Sequence, residues 1–298
     1  MPSRSFQLHP PPDLRLTLGY LNGGTGHPTR PASTTETWRA SHTPDGPATM
    51  HLVVREAEIE ATAWGPGSDW ALEQAPDLLG ARDDPDAFPV HHRLMRELKP
   101  RFRGLRMART EQVHAALIPV ILGQVVTVKE AHRAERRILE TYGERAPGPE
   151  GLMLQPSPER LAALRYEDLH PLGIARNKAQ LIIEVSKRAK RLEEISQLTS
   201  SEAGARLQSL RGIGPWTTAL VIGEALGDAD TVALGDYHLP NTVAWALAGE
   251  ARADDKRMLE LLEPYRPHRR RATMILKLSG LGAPKYGPRS PVRSFAEF

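Results

Sequence analysis

The pattern of apolar and polar residues changes its period about a third of the way along the chain. Three segments, TTETWRAS, ATMHLVVRE and EIEATAW, alternate apolar and polar residues between turn signals such as TPDG, which predicts antiparallel strands. SDWALEQAPDLL predicts a helix with Ser68 as its N-cap. The Pro- and Asp-rich stretch at 83–90 is typical of a linker. We therefore expect a small antiparallel sheet with one or two helices in residues 1–100.

From about residue 105 the pattern becomes helical. EQVHAALIPVILGQ is almost continuously apolar and predicts a buried helix. Gly143 and Gly212 stand where helix C-caps are expected, and Ser157 begins a sequence that fits a capping box. Further helices without intervening strands are predicted in VKEAHRAERRILETYG, SPERLAAL, 175–192, SSEAGARLQSL, 215–226, 240–247, 253–262 and 268–281.

These patterns predict an α+β fold in three parts. The expected parts are a small antiparallel β-sheet domain at 1–100, an all-α domain at 101–283 and a basic tail at 284–298.

Composition removes several classes of protein. The chain has no cysteine, which excludes disulfides, thiolate zinc sites, iron–sulfur clusters and cysteine nucleophiles. No apolar run approaches the roughly 20 residues that cross a bilayer, and the first residues have no signal-peptide pattern. We expect a cytoplasmic protein with no membrane association. The His91-His92 pair has no convincing ligand set around it and is expected on a surface linker.

The net charge of +3 is modest, but two segments concentrate the basic residues. Residues 264–298 hold eight Lys or Arg against one acid, and residues 96–109 hold six against one. Both a phosphate-binding face and an ordinary solvated surface fit this distribution. The candidate phosphate contacts are Arg101, Arg103, Arg106, Arg269, Arg270 and Arg271.

The segment LQSLRGIGPWTTALVIGEAL predicts two helices joined by a Gly-Ile-Gly turn. Gly212 and Gly214 allow positive φ and leave room for an anion to approach the N–H groups of the second helix. Pro215 fits the first turn of that helix. A turn of this kind is equally typical of a helix pair that binds nothing.

A second element follows in VALGDYHLPN, where Asp236 stands 22 residues after Gly214. Asp236 can serve as the N-cap of the next helix. It can also direct a carboxylate at the sugar of a nucleotide held by the hairpin, and the two roles can coexist.

LRGIGPWTTA followed by GDYHL resembles the helix-hairpin-helix and Gly/Pro-Asp signature (HhH-GPD) of DNA glycosylases, and is most similar to the DNA-3-methyladenine glycosylase II branch. The resemblance extends to ILGQVVTVKEAHRAERRILETYGE and PLGIARNKAQ, and covers about residues 100–283. It implies a monofunctional DNA glycosylase that flips a damaged purine out of double-stranded DNA and hydrolyses its glycosidic bond. The sequence gives no signal of an oligomer, so we expect a monomer, and we expect no required cofactor.

The same resemblance implies roles for individual residues, with Asp236 as the catalytic carboxylate. Related enzymes that also cut the strand have a Schiff-base lysine at the position of Trp216, so this chain is expected to lack lyase activity. The implied pocket residues are Trp216, Tyr237, Gln124 and Lys277. The implied DNA-binding residues are Gly212, Gly214, Thr217, Thr218 and Val125, the last as an apolar wedge. The carbonyls that can hold a monovalent cation in such hairpins belong to Gln208, Leu210 and Ile213.

Each of these assignments has a structural alternative. Trp216 can be simple core packing, and Gln124, Val125 and Tyr237 can be purely structural.

Lys277 departs from the family pattern, because it occupies the position of a pocket tryptophan. A lysine there would repel a cationic alkylated base, which leads to the hypothesis that it biases the enzyme away from positively charged methylpurines. Two other functions remain open. They are a non-catalytic DNA-damage-binding paralogue and a glycosylase for neutral, deaminated or oxidised bases.

Overall fold

An antiparallel sheet occupies the N-terminal third of the computed structural model, which describes residues 1–21 and 33–284. Its strands are β1 (Ser3–Gln7), β2 (Glu36–Thr43), β3 (Gly46–Arg55) and β4 (Glu58–Trp64). The order is β1-β4-β3-β2. Ile59, Ala61 and Ala63 are buried at every second position of β4, as a half-buried strand requires. The three strands predicted from alternation are confirmed, and β1 adds a mostly exposed edge strand that the pattern does not indicate.

Two helices, α1 (Leu14–Leu18) and α2 (Ser68–Leu78), cover the buried face of this sheet. Leu18 and Leu78 pack in one cluster with the buried side chains of β3 and β4. The N-cap of α2 is Gly67, which makes no side-chain hydrogen bond, so the prediction of Ser68 as N-cap is wrong by one position. A β-carbon at residue 67 would collide with the turn between β2 and β3, and this close approach explains the glycine.

The rest of the described chain is mostly helical, as predicted. Its helices are α3 (Arg93–Leu98), α4 (Val113–Gly123), α5 (Val128–Tyr142), α6 (Pro158–Ala162), α7 (Tyr166–Leu169), α8 (Arg176–Lys187), α9 (Ala189–Glu193), α10 (Ser200–Gln208), α11 (Pro215–Ala225), α12 (Leu239–Ala248), α13 (Asp255–Leu262) and α14 (Arg269–Leu278). Two short strands, β5 (Glu144–Arg145) and β6 (Met153–Leu154), pair between α5 and α6, so this part is not purely helical. No helix in residues 1–21 and 33–284 is both long and apolar enough to span a membrane.

The predicted caps in this helical part are correct at one position and half correct at another. Gly143 caps α5 and donates its N–H to the carbonyl of Leu139. Ser157 accepts from the N–H of Arg160 at the start of α6. The reciprocal bond of a capping box is missing because arginine has no acceptor to offer.

The helices form two apolar clusters that share α11. In the larger cluster, Leu117 and Ile121 of α4 pack with α5, α8, α10 and α11. The second cluster joins α3 to α12, α13 and α14, with Met95 fully buried. Val221 of α11 belongs to the first cluster and Ala219 to the second. The loops before α11 and α12 therefore lie near the junction of the two clusters.

Residues 83–90 have no helix or strand, but they are not a free linker. Phe88 is buried in the second cluster, and Asp83 forms a buried ion pair with Arg271. The prolines and aspartates of this segment correctly indicate that it has no helix or strand. They do not indicate that Phe88 and Asp83 are buried, because the residues that bury them are distant in the sequence. The division at residue 100 stays a prediction, and residues 285–298 of the predicted tail lie outside the described residues.

Candidate active site

The Gly-Ile-Gly turn joins α10 to α11 and has one glycine in the left-handed region. Gly212 has φ +94°. Gly214 has φ −98° and ψ −177°, which is extended backbone, so the expectation of positive φ holds only for Gly212. Gly212 also follows the end of α10 by several residues and is a turn residue rather than a C-cap. Gly214 is exposed just before Pro215, where the first N–H groups of a helix have no intrahelical partner.

Thr217 and Thr218 lie in the first turn of α11 with their side chains in the protein interior. Their exposures are 2% and 4%. Any contact of these two residues with DNA would therefore use the backbone, and their assignment as DNA-binding residues stays a prediction.

Gln124 links the end of α4 to the hairpin. Its side-chain nitrogen Nε2 donates to the carbonyl of Gly212 at 3.1 Å and to Oγ1 of Thr217 at 3.0 Å. Because that nitrogen is used inside the protein, any contact of this side chain with a base or with DNA would fall to its carbonyl oxygen. The link fixes the loop after α4 against the hairpin.

Val125 follows directly and is fully exposed, with φ +54°. A β-branched residue rarely adopts this conformation. The backbone therefore holds an apolar side chain out in solvent next to the hairpin.

Asp236 lies in the loop before α12, and its two carboxylate oxygens have different partners. Oδ1 accepts from the N–H groups of His238 and Leu239 at 2.9 and 2.8 Å, so it satisfies the start of α12. Oδ2 accepts from the indole Nε1 of Trp216 at 3.2 Å. The N-cap of α12 is His238, so the prediction of Asp236 as N-cap is wrong by two positions, although Asp236 accepts from the first N–H groups of that helix. Its other oxygen joins this loop to α11.

The surroundings of Asp236 favour its charged form. Burial raises the pKa of this carboxyl, but the nearby Lys277 charge, the two backbone N–H groups and the Trp216 indole together bring the pKa below its usual range. Asp236 is therefore a half-buried carboxylate that stays ionised at neutral pH.

The structure brings some of the other predicted pocket residues to this carboxylate. Trp216 donates a hydrogen bond to it directly. Lys277 is exposed at the end of α14, and its charge lowers the pKa of Asp236. Tyr237 is next in sequence but 86% exposed, with its ring edge against His238 at 4.8 Å between centroids. In this structure Tyr237 does not enclose a pocket.

The prediction of Arg106 as a phosphate contact is wrong. Its guanidinium is 3% exposed and donates to the carbonyls of His9, Pro10 and Gly80. It joins three separate segments of the chain instead of facing solvent.

The three arginines at the start of α14 are also structural. Arg269 pairs with Asp230, and Arg271 pairs with Asp83. Arg270 is 9% exposed and lies against α11 at Gly223. Of the predicted phosphate contacts, only Arg101 and Arg103 are exposed.

The sequence patterns did not single out Lys178, which is 8% exposed within α8. Its ammonium donates to the carbonyl of Leu122 at 2.8 Å, and burial lowers its pKa to about 8 although Glu130 opposes the shift. Lys178 shares the apolar face of α8 with Ile182, one turn on, and this position was the available signal. It lines a pocket of about 180 Å³ beside Val125.

Comparison with known proteins shows a family match over the part of the chain that forms this site. Residues 118–267, half of the chain, match the model described as HhH-GPD superfamily base excision DNA repair protein. DNA-3-methyladenine glycosylase 2 of Escherichia coli (strain K12) is 28% identical over 169 residues, which are 55% of this chain and 58% of that protein. YfjP of Bacillus subtilis (strain 168) is 27% identical over 181 residues, 58% of this chain and 61% of that protein. The chain thus spans about three fifths of the length of these curated relatives.

A solved structure shows the same fold over most of the molecule. The 3-methyladenine DNA-glycosylase from Archaeoglobus fulgidus superposes with a TM-score of 0.75 at 22% identity, covering 92% of this chain and 97% of that one. The family match and the hairpin followed by Asp236 agree. The chain belongs to the HhH-GPD superfamily of base excision DNA repair proteins.

Proposed function

We propose that this protein is a monofunctional DNA glycosylase that removes damaged purines from duplex DNA as a monomer. The observation that carries the proposal is Asp236, an ionised and half-buried carboxylate next to Trp216 at the hairpin. Relatives named as DNA-3-methyladenine glycosylases support the same class of reaction.

The first step is extrusion of the damaged nucleotide, since the bond to be broken is out of reach inside the stack. Extrusion costs a few kcal/mol, and less at damaged pairs. The N–H groups of the first turn of α11 would hold a phosphate next to Gly214. Val125, exposed and close to the hairpin, would enter the space that the base leaves.

Cleavage builds positive charge on the sugar, as in glycoside hydrolysis. Asp236 would stabilise that charge, because its carboxylate is already ionised and its oxygens are held by three N–H donors. Water completes the reaction, so the chemistry requires no cofactor.

The absence of lyase activity is part of the proposal. Trp216 occupies the position of the Schiff-base lysine in related enzymes that also cut the strand, and its indole has no nucleophilic amine. Borohydride trapping on a lesion-containing duplex tests this directly. No covalent complex is expected, and a trapped complex from any lysine, Lys178 included, would contradict it.

A monovalent cation at the hairpin fits the donors available. The carbonyls of Gln208, Leu210 and Ile213 would hold it, and the Leu210 carbonyl keeps a free lone pair although it accepts from the N–H of Ile213 at 3.1 Å. Such an ion would add positive charge next to the phosphate.

The test is base release from duplexes with single defined lesions, comparing wild type with D236N. Asn keeps the oxygen that accepts from the N–H groups of His238 and Leu239 but loses the charge, so the variant is expected to fold and to lose roughly 100-fold or more in rate. D254N is the matched control, because Asp254 also accepts a backbone N–H at a helix start, that of Arg257 at the start of α13. Strand breakage is expected only after alkali.

Two results would overturn the proposal. One is release by D236N at the rate of wild type. The other is no release from any lesion with salt-dependent DNA binding retained, which would identify a non-catalytic binding protein.

A further inference from the structure

Asp255 joins the turn before Asp236 to a different helix. Its Oδ2 accepts the backbone N–H of Gly235 at 2.8 Å, and Gly235 directly precedes Asp236. Asp255 is the first residue of α13 and is partly buried. The hydrogen bond therefore ties the chain immediately before the candidate catalytic carboxylate to the start of α13.

The turn that Asp255 holds has little regular structure to fix it. Gly235 has φ +81°, and a β-carbon there would meet no atom within 4 Å. Glycine is therefore needed for the left-handed backbone and not for lack of room. Residues 226–238 contain no helix or strand. The position of Gly235 thus depends on contacts from outside this loop.

A second side chain makes the converse connection. Asn241, in the first turn of α12, accepts the N–H of Ala253 through its Oδ1 at 2.9 Å. The two bonds join the starts of α12 and α13 in opposite directions, and Asp236 lies between Gly235 and Asn241 in the sequence. Both helices also contribute to the second apolar cluster. α13 is therefore a packed support for the loop that contains Asp236.

α13 does not need Asp255 as its cap. Asp254 is the N-cap, and its Oδ1 accepts the N–H of Arg257 at 2.8 Å. An acidic residue in the first turn of a helix is favourable through the helix dipole. That role does not require a bond to Gly235, so the bond has to be explained by what it does for the turn.

We propose that Asp255 is a positioning residue, which holds Asp236 in place against Trp216 and the hairpin through its hydrogen bond to Gly235. This inference rests on the proposed glycosylase function. Asp236 accepts from the Trp216 indole on one side and from the first N–H groups of α12 on the other. Such a carboxylate tolerates little displacement, because a shift of about 1 Å at a reacting group can cost about 100-fold in rate.

The experiment measures single-turnover base release and DNA affinity on duplexes that contain one 7-methylguanine or one hypoxanthine. D255A is expected to lose about 10- to 100-fold in the rate at saturating enzyme, with an unchanged Kd for the duplex, because the hairpin is intact. D255N is expected to release at close to the wild-type rate, since the asparagine oxygen can accept the same N–H.

D254A is the matched control at the neighbouring position. It removes the cap of α13 but leaves the bond between Asp255 and Gly235. Its stability should fall, and its rate of release should equal that of wild type. This comparison separates the position of Asp236 from the stability of α13.

The indole N–H resonance of Trp216 gives a readout that does not depend on base release. The resonance is assigned by its loss in W216F. It should move in D255A, because the bond to Asp236 loosens, and should keep its wild-type position in D255N and D254A.

Several results would overturn the inference. They are an unmoved resonance or a wild-type rate in D255A, a D255N rate as low as that of D255A, and a D254A loss equal to that of D255A. If wild type releases neither base, the proposed function itself fails, and the Trp216 resonance still decides the role of Asp255.

Discussion

Val125 combines two unfavourable features at one position. Its φ of +54° is in the left-handed region, and its apolar side chain is fully exposed. Left-handed backbone costs a residue with a β-carbon about 1–2 kcal/mol. Neither feature helps the protein to fold, which fits the wedge role proposed for Val125.

We predict that V125G separates stability from activity. Glycine relieves the backbone, and the free energy of unfolding should rise by up to about 1 kcal/mol after the larger entropy of the unfolded chain is counted. Base release should fall roughly tenfold or more, because the wedge no longer offsets the cost of flipping. Urea denaturation and single-turnover release measure the two effects.

E56G is the matched control for that change. Glu56 has φ +56° in the exposed turn between β3 and β4, far in sequence from the hairpin. It should gain stability with no change in base release. Equal activity of V125G and wild type would remove the wedge role from Val125.

Lys178 shows how a buried charge makes stability depend on pH. Its pKa is about 8 in the folded protein, against 10.5 for an ordinary lysine. The folded state therefore disfavours the charged form. The penalty is fully present below pH 8 and is lost as pH rises towards 10.5.

We predict that K178M removes this pH dependence. The free energy of unfolding of wild type, minus that of K178M, should rise by about 2–3 kcal/mol between pH 7.5 and pH 10.5, since one pKa unit is worth about 1.4 kcal/mol. Urea denaturation at several pH values measures it. K190M, which removes an exposed lysine of α9, is the control. Its free energy of unfolding should differ from that of wild type by an amount that does not vary with pH. The same pH-independent difference for K178M would refute the prediction.

At the scale of elements, the sequence contained enough information for most of the helices and for the hairpin. Apolar periodicity located β2 to β4 and the long helices, because the buried face of each element repeats along the chain. The glycines of the turn and the carboxylate of Asp236 are local features, and they could be found without any partner in view.

The elements that were not predicted depend on contacts between distant segments. α7 is a single turn, and β5 and β6 have two residues each, so they are too short to have a period. The prediction of phosphate contacts fails at Arg106 and at the arginines of α14 for the same reason. Nothing local distinguishes Arg271, which is buried against Asp83, from the exposed Arg101.

At the scale of the whole molecule, the Asp83–Arg271 ion pair joins residues 83–90 to α14. Both side chains are 3% exposed, and Asp83 also accepts from the N–H of Met107 at 2.9 Å. A buried charge that loses its partner destabilises a protein strongly, whereas loss of both charges is often tolerated.

We predict that D83N lowers the free energy of unfolding by about 3–5 kcal/mol, because it leaves the Arg271 guanidinium buried without a counter-charge. The double variant D83L/R271L should be less destabilised than D83N. E97Q, which removes the exposed pair between Arg93 and Glu97, is the control and should behave as wild type. A change of under about 1 kcal/mol in D83N would show that solvent or another group replaces the carboxylate.

Arg106 has a consequence for the exchange of domains between relatives. The carbonyls of His9 and Pro10 lie at the start of the chain, but the guanidinium that they bind is near the start of the helical part. A chimera with a foreign N-terminal sheet would have to present two carbonyls at the same place or strand that charge in the interior. The sheet and the helices are therefore not interchangeable modules. Relatives that exchanged these parts would have to keep Arg106 together with its two carbonyl partners.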